Sequence, residues 1–197
     1  MRKEIAGIRI PDTEICKQAE LLLEEVSPRT LTSHCYRTYY FAEMFGAGRG
    51  IRFDHEVLYV GALLHDLGLT ERFDADSRFE VRGADAAREF VKTHGLSDEK
   101  AETVWDAIAL HTSPEIAERK GPEVALVQLG TACDMMGVGY HRLEPEPHRS
   151  VSSRGHREFV PGPHTPGGSS AAGGGHRHMD GGCRPTNSRR HSMPDVE

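Results

Sequence analysis

Gly61-Ala-Leu-Leu-His-Asp-Leu-Gly68 is the stretch that decides the fold and the chemistry of this 197-residue chain. Together with the residues just before it, from Val57 onward, it is apolar on almost every side of a helix, which is typical of a buried central helix. Burying an adjacent imidazole and carboxylate at the end of such a helix is costly unless the two groups have partners. The pair His65-Asp66 therefore predicts one half of a metal site.

Two further candidate ligands, His34 and Asp134, lie on predicted helices of their own. Neutral imidazole and carboxylate are donors that suit Zn, Fe, Mn, Co or Ni, and zinc is the ion that we expect first. A hydrolytic site must keep at least one position for water, and four protein ligands leave such a position open in an octahedral geometry. The predicted site holds one divalent transition metal, with four candidate ligands: His34, His65, Asp66 and Asp134.

Over residues 1–140, apolar residues recur at spacings of three and four, a pattern that predicts helices, and no segment has a convincing strand pattern. Ser27-Pro28 predicts an N-cap and a first helical proline for the helix that carries His34, and Asp54 can cap the central helix. We predict an all-α domain over this range, a compact bundle of about six helices. The other helices are expected at residues 12–26, 83–94, 98–111 and 123–136.

The composition changes abruptly at His141. The last 57 residues contain nine glycines, seven prolines and seven histidines, but no Lys, Ile, Trp or Tyr. Such a segment buries too little apolar surface to offset its ordering entropy, so we predict that residues 141–197 form a disordered tail rich in Gly, Pro, Arg and His. Two alternatives stay open: His176-Arg-His178 could bind metal, or the segment could be a GC-rich gene read out of frame after about Glu146.

Composition and charge narrow the class of protein. Residues 1–140 hold 16 basic and 24 acidic residues, and an acidic body argues against binding to nucleic acid. No apolar run approaches the roughly 20 residues that a membrane span needs, and the start lacks the pattern of a secretory signal, so we expect a cytoplasmic protein with no membrane partner. The four cysteines form no C-x-x-C pair, and no H-E-x-x-H, Walker loop or G-x-S-x-G motif is present.

The residues around the candidate ligands resemble the HD-domain superfamily of metal-dependent hydrolases, which is defined by the pattern H…HD…D. The resemblance covers residues 28–140. Four groups of positions are also similar to the cyanamide hydratase branch: Ser33-His34 with Arg37-x-Tyr-Tyr40, Leu64-His-Asp-Leu-Gly68-x-Thr70, Arg78-Phe-Glu80 with Gly83, and Gly130-x-Ala-x-Asp134. The resemblance implies an α-helical fold with one metal held by the four ligands. It also implies a metal-activated water that attacks phosphorus in phosphohydrolases or a nitrile carbon in the hydratases.

Four residues are candidates for catalysis: Asp66, Thr70, Glu80 and His111. Glu80 could act as a general acid or base or orient the substrate, or it could pair with a neighbouring arginine. Thr70 could hydrogen-bond the substrate or the bound water, or cap the end of a helix. We expect His111 to line the pocket, although it could also orient a ligand or cap its helix. Dinuclear members carry extra histidines before the last aspartate, and because only His111 remains as a candidate here, the resemblance favours one metal.

Two kinds of small-molecule substrate stay open for such a hydrolase. A phosphomonoester would need cations for its phosphate, and Arg37, Arg78 and Arg82 are the nearest candidates. A nitrile such as cyanamide would need only a small, tight pocket. The alternative to an enzyme is a non-catalytic, metal-stabilised helical binding module, including a truncated or inactive member of the family. Apolar surface left uncovered after the last aspartate would favour a homo-oligomer.

Overall fold

Seven α-helices form the greater part of the computed structural model, which describes residues 4–5 and 7–143. In chain order the helices are α1 (Glu14–Val26), α2 (Arg29–Gly48), α3 (His55–Leu64), α4 (Phe79–Thr93), α5 (Asp98–Ala109), α6 (Pro114–Ala117) and α7 (Pro122–Met136). Short 3-10 turns lie at Leu67–Leu69, Glu71–Phe73 and Tyr140–Arg142. The all-α prediction is confirmed, and the helix beyond the six expected is the single turn α6.

A short β-hairpin precedes α1. Glu4–Ile5 (β1) pairs antiparallel with Ile8–Arg9 (β2). Gly7 between them has a φ of 80°, a left-handed conformation that glycine adopts without steric cost. The predicted fold contains no strand, so this hairpin is a correction. Two residues per strand are too few for the alternating apolar pattern that reveals a strand in a sequence.

The starts of α2 and α3 follow local signals. The Asp54 side chain accepts hydrogen bonds from the backbone N–H groups of Glu56 and Val57 at 2.9 and 3.2 Å, so α3 is capped as predicted. In α2 the N-cap is Pro28 itself, one residue later than predicted, and no side chain caps this helix. The shift is small because the fixed φ of proline suits either position at a helix start.

α4 begins at Phe79, four residues before the expected start at Gly83, and carries Glu80 in its first turn. A Cβ at Gly83 would lie 2.9 Å from the backbone nitrogen of Gly68, and a Cβ at Gly68 would overlap the Phe79 carbonyl oxygen. These two glycines therefore let the start of α4 pack directly against the turn that follows His65-Asp66. Such a tertiary contact extends the helix beyond the range that local apolar spacing indicates.

α3 packs against α1, α2, α5 and α7. Every residue from Val57 to Leu64 is buried, as the all-round apolar pattern predicts. Because α3 is enclosed by its neighbours, the chain that leaves its C-terminal end is still inside the bundle. His65 and Asp66 are consequently only 0% and 7% exposed.

α2 and α7 approach each other closely at Gly130. A Cβ at this position would overlap the carbonyl oxygen of Thr38, so the contact requires glycine. His34 lies one helical turn from Thr38 on α2, and Asp134 lies one turn from Gly130 on α7. The close packing of these helices therefore brings two predicted ligands within hydrogen-bonding distance of each other.

The predicted tail lies outside the described residues from position 144 onward, and residues 141–143 end the described part at a 3-10 turn. Cys16, Cys35 and Cys133 are buried and carry free thiols. Between residues 4 and 143, as far as they are described, no helix has both the length and the apolar character that crossing a membrane demands.

Candidate metal centre

Three of the predicted ligands converge in the interior of the bundle. His34 comes from α2, His65 follows the last residue of α3, and Asp66 is the next residue. Nε2 of His34 lies 3.1 Å from Nε2 of His65. Oδ2 of Asp66 lies 3.4 Å from Nε2 of His65 and 3.6 Å from Nε2 of His34. The three buried residues form the one such group of His, Cys, Asp and Glu among residues 4–5 and 7–143.

His111 faces the same cluster from the end of α5. Its Nε2 lies 3.5 Å from Oδ1 of Asp66, and the centroids of the His111 and His65 rings are 4.8 Å apart. The side chain is buried, since the residue is 3% exposed. The structure thus brings together three imidazole Nε2 atoms and one carboxylate.

The outer nitrogens of His65 and His111 are bound to backbone acceptors. Nδ1 of His65 lies 2.8 Å from the carbonyl oxygen of Ala62, and Nδ1 of His111 lies 2.6 Å from that of Ile108. A carbonyl oxygen can only accept, so these acceptors assign the hydrogen to Nδ1 in both rings. With the hydrogen on Nδ1, Nε2 is the nitrogen that each ring turns towards Asp66 and that can offer a lone pair to a metal.

His34 is oriented in the same way, but by a carboxylate. Its Nδ1 donates to Oδ2 of Asp134 at 2.6 Å. Arg37 makes a bidentate contact with the same carboxylate. Its Nε donates to Oδ1 at 2.6 Å, and its Nη2 donates to Oδ2 at 2.8 Å. Burial raises the pKa of Asp134, but the hydrogen bonds from Arg37 and His34 outweigh it and the pKa lies below its usual value. Asp134 is therefore an ionised acceptor on the far side of the His34 ring from His65.

The charges of the cluster suit a cation. Burial lowers the pKa of His65 to about 4, so the imidazole is neutral at neutral pH. Burial alone would raise the pKa of Asp66, but the surrounding histidines His65, His111 and His34 bring it down to about 2. Neutral imidazole and ionised carboxylate are the forms in which both groups bind metals.

The donor set fits a divalent transition metal on two grounds. Two Nε2 lone pairs that face each other across 3.1 Å repel each other unless a cation lies between them. The donor separations of 3.1 to 3.6 Å are close to the edges of roughly 3.0–3.4 Å expected for metal–ligand bonds of about 2.1 Å at angles of about 90° to 110°. Nitrogen and oxygen donors of this kind suit Zn, Fe, Mn, Co or Ni.

A cavity of about 570 Å³ adjoins the cluster. His34, Asp66 and His111 contribute to its wall. The rest of the wall is mainly apolar, and its residues are Pro28, Thr30, Leu31, Leu69, Phe79, Thr112, Thr131 and Met135. The site can therefore take a small molecule in contact with the histidine and aspartate side chains.

Glu80 is linked to this cavity by a hydrogen bond with Thr112, which lines the wall. It is 4% exposed, and its Oε1 accepts hydrogen bonds from Thr112 at 2.8 Å and from Arg78 at 2.6 Å. The hydrogen bonds from Arg78 are the main reason that the pKa of Glu80 is lowered to about 2. Thr112 was missed by reasoning from the sequence, although its position directly after His111 was a usable signal.

Thr70 lies at the end of the first 3-10 turn. Its hydroxyl donates to the carbonyl oxygen of Leu67 at 2.7 Å, and the residue is buried. This hydrogen bond closes the turn, as a capping residue does at the end of a helix. Neither Thr70 nor Glu80 is among the described residues that line the cavity.

The helical bundle thus gathers imidazole and carboxylate donors that could hold a divalent metal beside a cavity of small-molecule size. The HD domain family model matches residues 31–144, which is more than half of the chain. The chain belongs to the HD domain family, whose members are generally metal-dependent hydrolases. A comparison with curated proteins gave no match.

Proposed function

We propose that the protein is a metal-dependent hydrolase that adds water to a small, uncharged molecule with an electrophilic carbon, such as a nitrile of the cyanamide class. The observation that supports this substrate class is the wall of the cavity beside the metal centre. Of the described residues that line it, none is a lysine or an arginine. A phosphate group would find no basic side chain in this wall, and the metal would be the only cation there to pair with it.

The three arginines that could have served a phosphate are engaged elsewhere. Arg37 is bound to Asp134, and Arg78 is bound to Glu80. Arg82 donates to the carbonyl oxygen of Gly68 and forms an ion pair with Asp74. The positive charge of each guanidinium is thus already paired with a carboxylate, which weakens its attraction for a phosphate oxygen.

His34, His65 and Asp66 would hold the metal, and Asp134, which was predicted as the fourth ligand, would orient His34 from the far side of its ring. A divalent metal in this position supplies a Lewis acid and lowers the pKa of water. His111 presents the lone pair of Nε2 beside Asp66, so it can take a proton from water and return it to the substrate nitrogen. Glu80 is ionised at neutral pH because its pKa is about 2, and it therefore orients Thr112 instead of acting as an acid.

For cyanamide the reaction is the addition of one water across the carbon–nitrogen triple bond. The water oxygen bonds to the carbon, both water hydrogens end on the former nitrile nitrogen, and the product is urea. A phosphomonoester is the second candidate, because a cavity of about 570 Å³ is larger than cyanamide requires. A cytoplasmic location remains part of this proposal.

The test is metal analysis and a paired assay on the full chain. Wild type is compared with His65→Ala and Asp66→Ala, and His55→Ala is the matched control because this histidine is mostly exposed and bonded to Glu43. The difference in metal content between wild type and the two site variants gives the amount of metal bound at the centre, because any metal on other histidines is common to all samples. We expect about one metal per chain to be lost, and His55→Ala to keep it.

The same samples are given cyanamide and nucleoside monophosphates. Urea formation that disappears with the centre supports the hydratase. Phosphate release that disappears with the centre identifies a phosphohydrolase instead. Retention of metal in both site variants contradicts the assigned centre, and bound metal without turnover of either compound favours a non-catalytic binding module.

A further inference from the structure

Two threonines in the cavity wall donate their hydroxyl hydrogens to acceptors within the protein. Oγ1 of Thr112 donates to Oε1 of Glu80 at 2.8 Å. Oγ1 of Thr131 donates to the carbonyl oxygen of Val127 at 3.0 Å, one turn earlier on α7. Because an ionised carboxylate and a carbonyl can only accept, each threonine must be the donor of its bond. What remains on each hydroxyl oxygen is acceptor capacity.

The acceptor state of Glu80 is fixed by its own contacts. Arg78 binds both of its oxygens, at 2.6 Å and 3.3 Å, and its pKa is about 2. It therefore carries no hydrogen to offer Thr112 near neutral pH. Arg78 and Thr112 therefore both donate to Glu80, and the hydroxyl of Thr112, a residue of the cavity wall, has no hydrogen left to donate to a ligand.

The other side chains of the cavity wall add few hydrogen-bond donors to these acceptors. His34 and His111 keep their ring hydrogens on Nδ1, where Asp134 and Ile108 accept them. Thr30, in the first turn of α2, has no hydrogen-bond partner for its hydroxyl among the described residues and can serve either way. The polar groups around the cavity are thus mostly acceptors.

We propose that the oxygens of Thr112 and Thr131 select a substrate that donates hydrogen bonds, an N–H group on a nitrogen beside the electrophilic carbon. This inference rests on the proposed function and narrows its substrate class to aminonitriles whose amino nitrogen is unsubstituted or monosubstituted. A fully N-alkylated analogue offers no hydrogen and leaves both oxygens facing apolar groups. A phosphate dianion, which only accepts, meets the same oxygens unfavourably.

The experiment compares cyanamide with N,N-dimethylcyanamide on wild type and on Thr112→Val and Thr131→Val. Valine keeps the shape of threonine but removes the oxygen. One hydrogen bond is worth about a tenfold change in affinity. We expect each variant to lose about tenfold in kcat/KM for cyanamide, mainly through KM, with dimethylcyanamide little affected. The preference of the enzyme for cyanamide should therefore fall by about tenfold.

Two further variants separate recognition from structure. Thr112→Ser keeps the hydroxyl and should restore the preference for cyanamide. Thr103→Val is the control for Thr131→Val, because Thr103 makes the same type of bond, to the carbonyl oxygen of Glu99 at 3.0 Å, away from the cavity. This control should retain the wild-type preference.

Binding of both compounds is measured by ligand-observed NMR on the same metal-loaded proteins, so the inference does not depend on turnover. Selective binding of cyanamide that is lost in Thr112→Val supports the inference even if no urea forms, and in that case only the proposed reaction fails. Equal effects of the valine variants on both compounds overturn the inference while urea formation keeps the proposed function. Absence of binding of either compound overturns both.

Discussion

At the scale of single residues, the centre depends on which nitrogen of each imidazole carries its hydrogen. The backbone carbonyl oxygens of Ala62 and Ile108 hold the Nδ1 hydrogens of His65 and His111. Each ring can therefore turn only its Nε2 lone pair towards Asp66. Acceptors of this kind raise the basicity of a ligand and fix its orientation before a metal arrives.

The carboxylate of Asp134 accepts the Nδ1 hydrogen of His34 and so orients its ring. Removing its charge tests how much this orientation contributes to metal affinity. Asp134→Asn keeps the size of the side chain but removes the charge that accepts from Nδ1 and from Arg37. We expect a loss of about tenfold to hundredfold in metal affinity, measured by competition with a chromophoric chelator. Arg37→Ala should have a smaller effect, because the carboxylate and its bond to His34 remain.

Two other outcomes of this comparison are informative. An unchanged affinity in Asp134→Asn would contradict any role for the carboxylate at the centre. A complete loss of metal, equal to that in Asp66→Ala, would favour direct ligation by Asp134 over the orientation of His34.

The pH dependence of stability tests the contacts of Glu80. Because its pKa in the folded protein, about 2, lies below the ordinary value of 4.5, the ionised form favours folding. This contribution is complete above about pH 4.5 and is lost as the pH falls towards 2. We expect the free energies of unfolding of wild type and Glu80→Gln to converge as the pH falls from 6 to 3.

Urea unfolding at several pH values measures this convergence, on metal-free protein so that metal release does not interfere. Glu89→Gln, at an exposed position on the same helix, is the matched control and should differ little from wild type at any pH. A constant difference between wild type and Glu80→Gln over the whole range would contradict the ionised contacts with Arg78 and Thr112.

At the scale of helices, the site is assembled by the close contact of α2 and α7. Gly130 and the carbonyl oxygen of Thr38 form that contact, and His34 and Asp134 lie one turn away on either helix. Helix packing at this distance allows no side chain between the backbones. A larger side chain at position 130 should therefore lower both the stability of the fold and its affinity for metal.

Gly130→Ala inserts a methyl group where the Thr38 carbonyl lies, so the helices must separate. We expect a loss of about 1–3 kcal/mol in the free energy of unfolding and a measurable loss of metal affinity. Gly48→Ala is the matched control, because a Cβ at the end of α2 meets nothing within 4 Å. The control should be neutral or slightly stabilising, by up to about 1 kcal/mol. Similar stability of both variants, measured by urea unfolding, would show that the contact tolerates separation.

At the scale of the whole molecule, a metal that binds the folded chain and not the unfolded chain stabilises the fold. With free metal at about a hundred times the dissociation constant, the gain is about 2.7 kcal/mol. We expect removal of the metal by a chelator to lower the melting temperature by about 10 °C. Asp66→Ala should melt at the same temperature with and without chelator. Equal shifts in both proteins would place the bound metal outside the centre.

The predicted homo-oligomer also belongs to this scale, and it stays a prediction. Met135 and Met136 at the end of α7 are 68% and 73% exposed, and Val138 and Tyr140 nearby are 44% and 52% exposed. An exposed apolar surface of this kind agrees with the reason for which an oligomer was expected.

Much of the architecture was readable because the decisive patterns are local. Local periodicity predicts that α3 is apolar on all sides, and local capping chemistry predicts the Asp54 cap. The dipeptide His65-Asp66 is likewise recognised from adjacent residues. The start of α4 at Phe79 was not readable in this way, because the contact between Gly68 and Gly83 that supports it joins distant segments.

The sequence by itself determined the helical class and named the residues that gather at the centre. Only the tertiary structure decided what each of them faces: that Asp134 holds the outer nitrogen of His34, that Thr70 closes a turn, and that Glu80 reaches the cavity through Thr112. The physical reason is that residue type sets the available chemistry, whereas the direction of a hydrogen bond depends on the packing of helices from distant parts of the chain.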